Sequence, residues 1–174
     1  MISLNDIDIR EFNLQSDSIV ELTKLLHKSY KKLADVGLHF WATTQSEEQT
    51  LERIQGGKCL IAVEGGVIIG TICFYASTIR EDSKVYSQKN TGRFGQFAVD
   101  PVYQKLGLGR LLLEHVEKLA LKNGKSYLAL DTSEKALHLI TYYKLMGYLP
   151  IEYIQWDRVN YQSIVMQKRI GKKY

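Results

Sequence analysis

Two glycines one residue apart, Gly107 and Gly109, separate a strand-like run, Phe94 to Val99, from an amphipathic helix pattern, Leu111 to Lys122. A strand that feeds a helix through such a loop commits this stretch to an α/β unit with an anion site at its turn. The first turn of a helix offers orphan N–H donors and a partial positive charge, and glycines let the backbone lie flat against a bulky anion such as a pyrophosphate. Gln104, Lys105, Leu106, Leu108 and Arg110 complete the segment, and Lys105 and Arg110 add mobile charge. No Gly-x-x-x-x-Gly-Lys-Ser/Thr occurs, and the third glycine of a dinucleotide fingerprint would fall on Leu112. A P-loop of the usual kind and a dinucleotide site are thereby excluded.

The remainder of the chain reads as alternating short elements. Ile7 to Phe12 alternates apolar and polar residues as a half-buried strand does. A helix starts near Ser18, capped with Glu21, and carries Ile19, Leu22, Leu25, Leu26 and Leu33 on one face; a second, Ser46 to Gln55, has the Ser46/Gln49 capping box and closes on Gly56-Gly57. Lys58 to Val63 and Val67 to Tyr75 are apolar strands joined by the hairpin signal Glu64-Gly65-Gly66, and Ser77 through Arg93 is polar and aperiodic, a loop. Ser126 to Leu130 reads as a buried strand. Thr132 to Tyr148 reads as a helix capped by Thr132 or Ser133 and stopped by Gly147, and Leu149 to Trp156 and Gln162 to Lys168 read as closing strands around a turn at 157–160.

The segment Gln104-x-x-Gly107-x-Gly109, following Phe97-Ala98-Val99-Asp100-Pro101, resembles motif A of the GCN5-related N-acetyltransferases. Tyr143-Lys144-Leu145-Met146-Gly147-Tyr148 is similar to the end of that family's motif B. The resemblance is specific across residues 94 to 148 and matches the element order along the whole chain. It implies a single domain, residues 1–174: a mixed, mostly antiparallel sheet flanked by helices, splayed between the strands of the two motifs. It also implies acetyl-CoA as cosubstrate and direct transfer of its acetyl group to a primary amine of a small molecule or protein. The loop from Gln104 to Arg110 would hold the pyrophosphate. Phe97, Ala98 and Val99 would offer backbone groups to the pantetheine arm, and Ala136, Leu139, Ile140 and Tyr143 would form a wall beside it.

Tyr143 matches the position of a proton donor to the departing thiolate, against the plainer reading of a core aromatic. Many relatives carry a Glu or His base on the motif A strand, but Arg93-Phe94-Gly95-Gln96-Phe97 contains no group that is a base at neutral pH. Asp131 is the first candidate to replace it, and also reads as a helix-capping carboxylate; water is the other route. Ala136 stands where the family often has Asn. His39, Trp41 and Gln96 are candidate acceptor contacts, with Trp41 equally readable as a core plug. His27 and His115 read as solvated, and His138 as packing.

Cys59 and Cys73 lack Cys-x-x-Cys spacing and read as free buried thiols, with no metal expected; a Cys73 acyl-enzyme would want an activating His that the sequence does not place. A net charge of +4 in 174 residues, with no basic stripe interleaved with aromatics, gives no reason to expect nucleic acid. No apolar run approaches a membrane span and the N-terminus has no signal pattern, so the expectations are cytoplasmic location and no membrane partner; a homodimer is compatible with them. A degenerate member that binds acyl-CoA only as a sensor or interaction module is the alternative function.

Overall fold

The computed structural model describes residues 6–76 and 82–171. Among these, seven strands form one sheet: β1 (Asp8–Glu11), β2 (Lys58–Glu64), β3 (Val67–Tyr75), β4 (Thr91–Val99), β5 (Tyr127–Ser133), β6 (Leu149–Gln155) and β7 (Gln162–Arg169), in the order β1-β2-β3-β4-β5-β7-β6. Every pairing is antiparallel except β4 with β5. The expected mixed, mostly antiparallel sheet is therefore present, and helices cover both of its faces.

Local chemistry accounts for most of the boundaries. Helix α1 (Ile19–Asp35) starts where the Ser18 hydroxyl accepts the Glu21 N–H, and α2 (Glu47–Gln55) starts at a complete Ser46/Gln49 capping box. Gly65 and Gly66 take φ of 56° and 83°, the left-handed pair that a tight hairpin needs between β2 and β3. Leu22, Leu25 and Leu26 of α1 and Ile54 of α2 pack on Cys59, Ile61, Cys73 and Tyr75, which share one sheet face. The opposite face carries α3 (Leu108–Lys122) and α4 (Leu137–Leu145), whose Leu112, Leu113, Val116, Ile140 and Tyr143 pack on Ile72, Phe74, Phe94, Leu128 and Leu130. Cys59 and Cys73 face each other across β2 and β3 as buried free thiols.

Four expected boundaries move. Strand β4 begins at Thr91 inside the stretch read as loop, because the backbone of residues 91–93 pairs with Tyr127–Ala129 whatever its side chains. Residues 77–81 of that loop lie outside the described residues, and its later part is not a solvated strap: Ser83, Val85 and Tyr86 are buried. Strand β5 continues through Thr132 and Ser133, which pair with Ile164 and Ser163 of β7, so neither caps a helix. Helix α4 starts only after Ala136, without a side-chain cap, and α3 starts at Leu108, which places Gly109 inside its first turn. Gly147, at φ 90°, does end α4.

Candidate active site

Strands β4 and β5 are held together over only three registered pairs, Thr91 with Tyr127, Gly92 with Leu128 and Arg93 with Ala129. Beyond Arg93 they part, and the gap opens a passage from the face carrying α3 and α4 to the face carrying α1 and α2. Strand β4 is also bulged where it leaves the register with β3 near Ile72, and Gln96 sits there at φ 50°. The Gln96 side chain is 3% exposed, and neither its Oε1 nor its Nε2 has a partner among the described residues. A buried amide with both ends unsatisfied is costly.

At one end of the gap lies the turn into α3. Lys105 and Gly107 take φ of 65° and 94°, and Leu111 N–H is the first to return to the Gly107 carbonyl. The N–H groups from Lys105 to Arg110 find no acceptor among the described residues, so the loop and helix start present a row of free donors. A Cβ on Gly109 would stand 3.2 Å from Tyr142 Oη, 3.5 Å from Phe97 and 3.7 Å from Val99. The hydroxyl of Tyr142 is itself buried without a partner among the described residues. Free amides and an orphan hydroxyl together make a cradle for an anionic group.

On the far side of the gap is a cavity of about 630 Å³. Tyr30, Phe40, Trp41, Tyr75, Tyr86 and Tyr161 are among its walls, with Arg53, Arg93 and Arg158, and Gln96, Asp131 and Tyr143 line it too. Tyr143 arrives from α4 through the gap, 7% exposed, its ring against Phe94, Phe97, Tyr142 and Tyr148. Burial pushes its phenol well above the usual value of about 10, so it keeps its proton at neutral pH. Burial likewise pushes Tyr30 up to about 12.

Residues 20–148 match the acetyltransferase (GNAT) family. The chain belongs to that family. Its sequence is 29% identical over 136 residues to S-(2-succino)cysteine N-acetyltransferase of Bacillus subtilis (strain 168), covering 74% of this chain and 77% of that relative. The fold is similar to that of the Escherichia coli ribosomal-protein-S18-alanine N-acetyltransferase, with a TM-score of 0.71, 17% identity and 97% and 96% of the two chains covered. It is similar also to an aminoglycoside 6′-N-acetyltransferase complexed with coenzyme A, with a TM-score of 0.70, 16% identity and coverage of 96% and 99%.

Within this GNAT chain the residues singled out from sequence do not all meet. Gln96, Trp41, Leu139, Asp131 and Tyr143 line the cavity, whereas His39 is exposed, with its backbone N–H donated to Asn160 and its ring outside the lining. Ala136 and Ile140 are core residues, Ala136 packing with Leu33, Leu38 and Tyr161. The carbonyls of Phe97 and Val99 already accept side-chain donors: Tyr30 Oη donates to the first at 2.9 Å, and Ser29 Oγ and Gln104 Nε2 to the second at 3.1 Å each. Helix α1 lies over that edge, which sequence periodicity does not reveal.

Asp131 lies within β5 and caps no helix; its two oxygens accept from Tyr86 Oη at 2.8 Å and Trp156 Nε1 at 2.9 Å. The other histidines also differ from expectation. His27 and His115 are half-buried, each with a ring nitrogen 2.8 Å from a backbone carbonyl, and His138 is exposed. Cys73 is fully buried in β3 and does not line the cavity, which removes the acyl-enzyme reading. Among the described residues no cluster of three metal-ligating side chains occurs, and no helix is long and apolar enough to cross a membrane. Sequence reasoning did not single out Arg53, Tyr86 and Trp156, which line the cavity, or Tyr142 beside Gly109; they come from two helices and two connecting segments, and no local pattern joins them.

Proposed function

We propose that this GNAT chain transfers an acetyl group from acetyl-CoA to the amine of a small acceptor held in the 630 Å³ cavity. The observation that carries the reading is the gap between β4 and β5, with an anion cradle at one end, a cavity on the far side, and Tyr143 reaching from one to the other. The relatives named as N-acetyltransferases, one of them complexed with coenzyme A, support it. Acetyl-CoA supplies an acetyl group activated as a thioester.

The donors from Lys105 to Arg110 and the Tyr142 hydroxyl would hold the pyrophosphate, with Lys105 and Arg110 adding charge at its rim. Leu139 and Tyr143 would wall the arm; the Phe97 carbonyl could accept from it beside Tyr30 Oη, whereas the Val99 carbonyl would have to exchange one of its two side-chain donors. Tyr143 holds a proton at Oη for the sulfur that leaves. Asp131, with both oxygens already oriented by Tyr86 and Trp156, would attract the acceptor's ammonium and take its proton directly or through water. A binding-only module is less well supported, because it has no use for a Tyr143 hydroxyl that finds no hydrogen-bond partner among the described residues in a residue lining the cavity. Incubation with acetyl-CoA and a panel of amines, reading free thiol, tests the proposal: acceptor-dependent release is expected, and cofactor binding without release for any amine would overturn it in favour of the sensor.

A further inference from the structure

The acceptor cavity contains more positive charge than a pocket for a simple amine needs. Elsewhere in the fold, cationic side chains meet carboxylates: Arg10 with Asp17, Lys28 with Asp100, Lys31 with Asp35, Arg110 with Glu114 and Lys168 with Glu117. Arg53, Arg93 and Arg158 make no such pair among the described residues. They lie instead on aromatic rings, Arg53 and Arg158 over Trp41 at 4.4 and 4.5 Å from its centroid, and Arg93 over Tyr75 at 4.4 Å. Stacking fixes the plane of a guanidinium and leaves its N–H fork free along the edge.

Arg53 is anchored by donating Nη1 to the fully buried Gln45, whose own amide donates to Thr50 at 2.6 Å. Arg93 stands opposite Tyr75 on β3 and Ala129 on β5, at the point where β4 and β5 part. Alternation along β5 places Asp131 on the same sheet face as Ala129, two residues further on. Burial pulls the Arg53 guanidinium below its usual value, and the nearby positive Arg93 adds to that pull. Neither guanidinium meets a carboxylate among the described residues, and an anion placed between them would be attracted by both. Asp131 forms no ion pair with either guanidinium among the described residues; its two oxygens accept instead from Tyr86 and Trp156. Gln96, another of the cavity's lining residues, is buried with both amide atoms unpartnered among the described residues, a donor and an acceptor that a small side-chain movement would turn to a ligand.

We propose that the acceptor is an amino acid bearing a second carboxylate, with its acid groups held by the forks of Arg53 and Arg93 and its amine directed toward Asp131 and Gln96. A guanidinium fork matches a carboxylate bidentately, and two forks on separate elements match two acids on one small molecule. Arg158, exposed on the turn after β6, guards the mouth of the cavity. Polycationic amines are disfavoured there.

This inference rests on the acetyl-transfer reading, and the experiment separates the two. With the full chain and acetyl-CoA, S-carboxymethylcysteine is compared with its neutral isostere S-carbamoylmethylcysteine and with lysine, by thiol release. The diacid should show at least a 10-fold higher kcat/KM than the isostere. Arg93→Met, which keeps an apolar stem over Tyr75, should raise KM for the diacid by 10- to 100-fold, leave kcat and the KM for acetyl-CoA nearly unchanged, and erase the preference over the isostere. Arg53→Met should do the same. Equal rates for diacid and isostere, a preference for lysine, or an Arg93→Met loss shared by all acceptors would overturn the proposal. If no amine releases thiol, the transfer reading fails alone and the site is judged by thermal shift: stabilisation by the diacid that disappears in Arg93→Met upholds it, and no stabilisation overturns it.

Discussion

Removing the hydroxyl of Tyr142 should move stability and cofactor affinity in opposite directions. In the free protein Tyr142 Oη is shut from water and has no partner among the described residues, facing Gly109 at the start of α3. Burial also pushes its phenol above the usual value, with Arg110 pulling the other way, so the group is a neutral donor at working pH. Leaving a buried polar group unsatisfied costs about 1–3 kcal/mol, and because this ring is only half-buried the low end applies. Tyr142→Phe should therefore stabilise the free chain by about 1 kcal/mol, which for a chain of this length raises Tm by roughly 2–4 °C. Ring packing against Tyr143 is retained.

The same hydroxyl gains its partner only when a phosphate oxygen enters the cradle. A hydrogen bond to a charged acceptor contributes about 1.5–3 kcal/mol, so Kd for acetyl-CoA should weaken roughly 10- to 150-fold. Thermal melts with and without acetyl-CoA, paired with calorimetric titration, read both signs at once. A lower Tm for the free variant would show that the hydroxyl has a partner in solution, and an unchanged Kd would place the pyrophosphate elsewhere; either result refutes the reasoning.

Tyr143→Phe should preserve fold and cofactor affinity yet slow single-turnover transfer by about 10²- to 10⁴-fold, toward the lower end because a thiolate leaves fairly well unprotonated; an unchanged single-turnover rate would reduce Tyr143 to packing. Asp131→Asn should remove the alkaline-rising limb of turnover if Asp131 takes the acceptor's proton, whereas Gln96→Ala should change the rate without moving the apparent pKa, both read from pH–rate profiles. Gly109→Val should abolish most of the cofactor-induced melting shift, since even a Cβ there meets Tyr142 Oη at 3.2 Å; a full shift in a folded variant would contradict the cradle. Stability itself should fall on the alkaline side. Burial raises the phenols of Tyr30, Tyr75, Tyr86, Tyr143, Tyr148 and Tyr161, so above pH ~10 the unfolded chain loses protons that the folded chain keeps. Denaturation midpoints should hold from pH 7 to about 9 and drop beyond 10, each such group costing up to ~1.4 kcal/mol per pH unit.

What the sequence by itself determined is the part of the fold whose causes lie within a few residues. The Ser18 and Ser46 caps, the left-handed Gly65-Gly66 hairpin, the Gly147 stop and the Gly107 entry into α3 each follow from one or two side chains acting on their own backbone. The motifs that resembled GNAT sequences were local for the same reason, since free N–H donors at a helix start depend on the adjoining turn alone. Long-range pairing decided the rest. Nothing within the sequence near Thr132 and Ser133 distinguishes a helix cap from the end of a strand; β7, some thirty residues downstream, makes them strand by pairing with both. That assignment places Asp131 inside β5 beneath Tyr86 and Trp156, so its role changes with its partners. The fork after Arg93, the bulge that buries Gln96 at positive φ, and the α1 donors on the Phe97 and Val99 carbonyls likewise arise from how β3, β4, β5 and α1 meet. Arg53 and Arg93 stand forty residues apart on a helix and a strand, and only the tertiary structure places their guanidiniums in the lining of one cavity, with no carboxylate paired to either among the described residues.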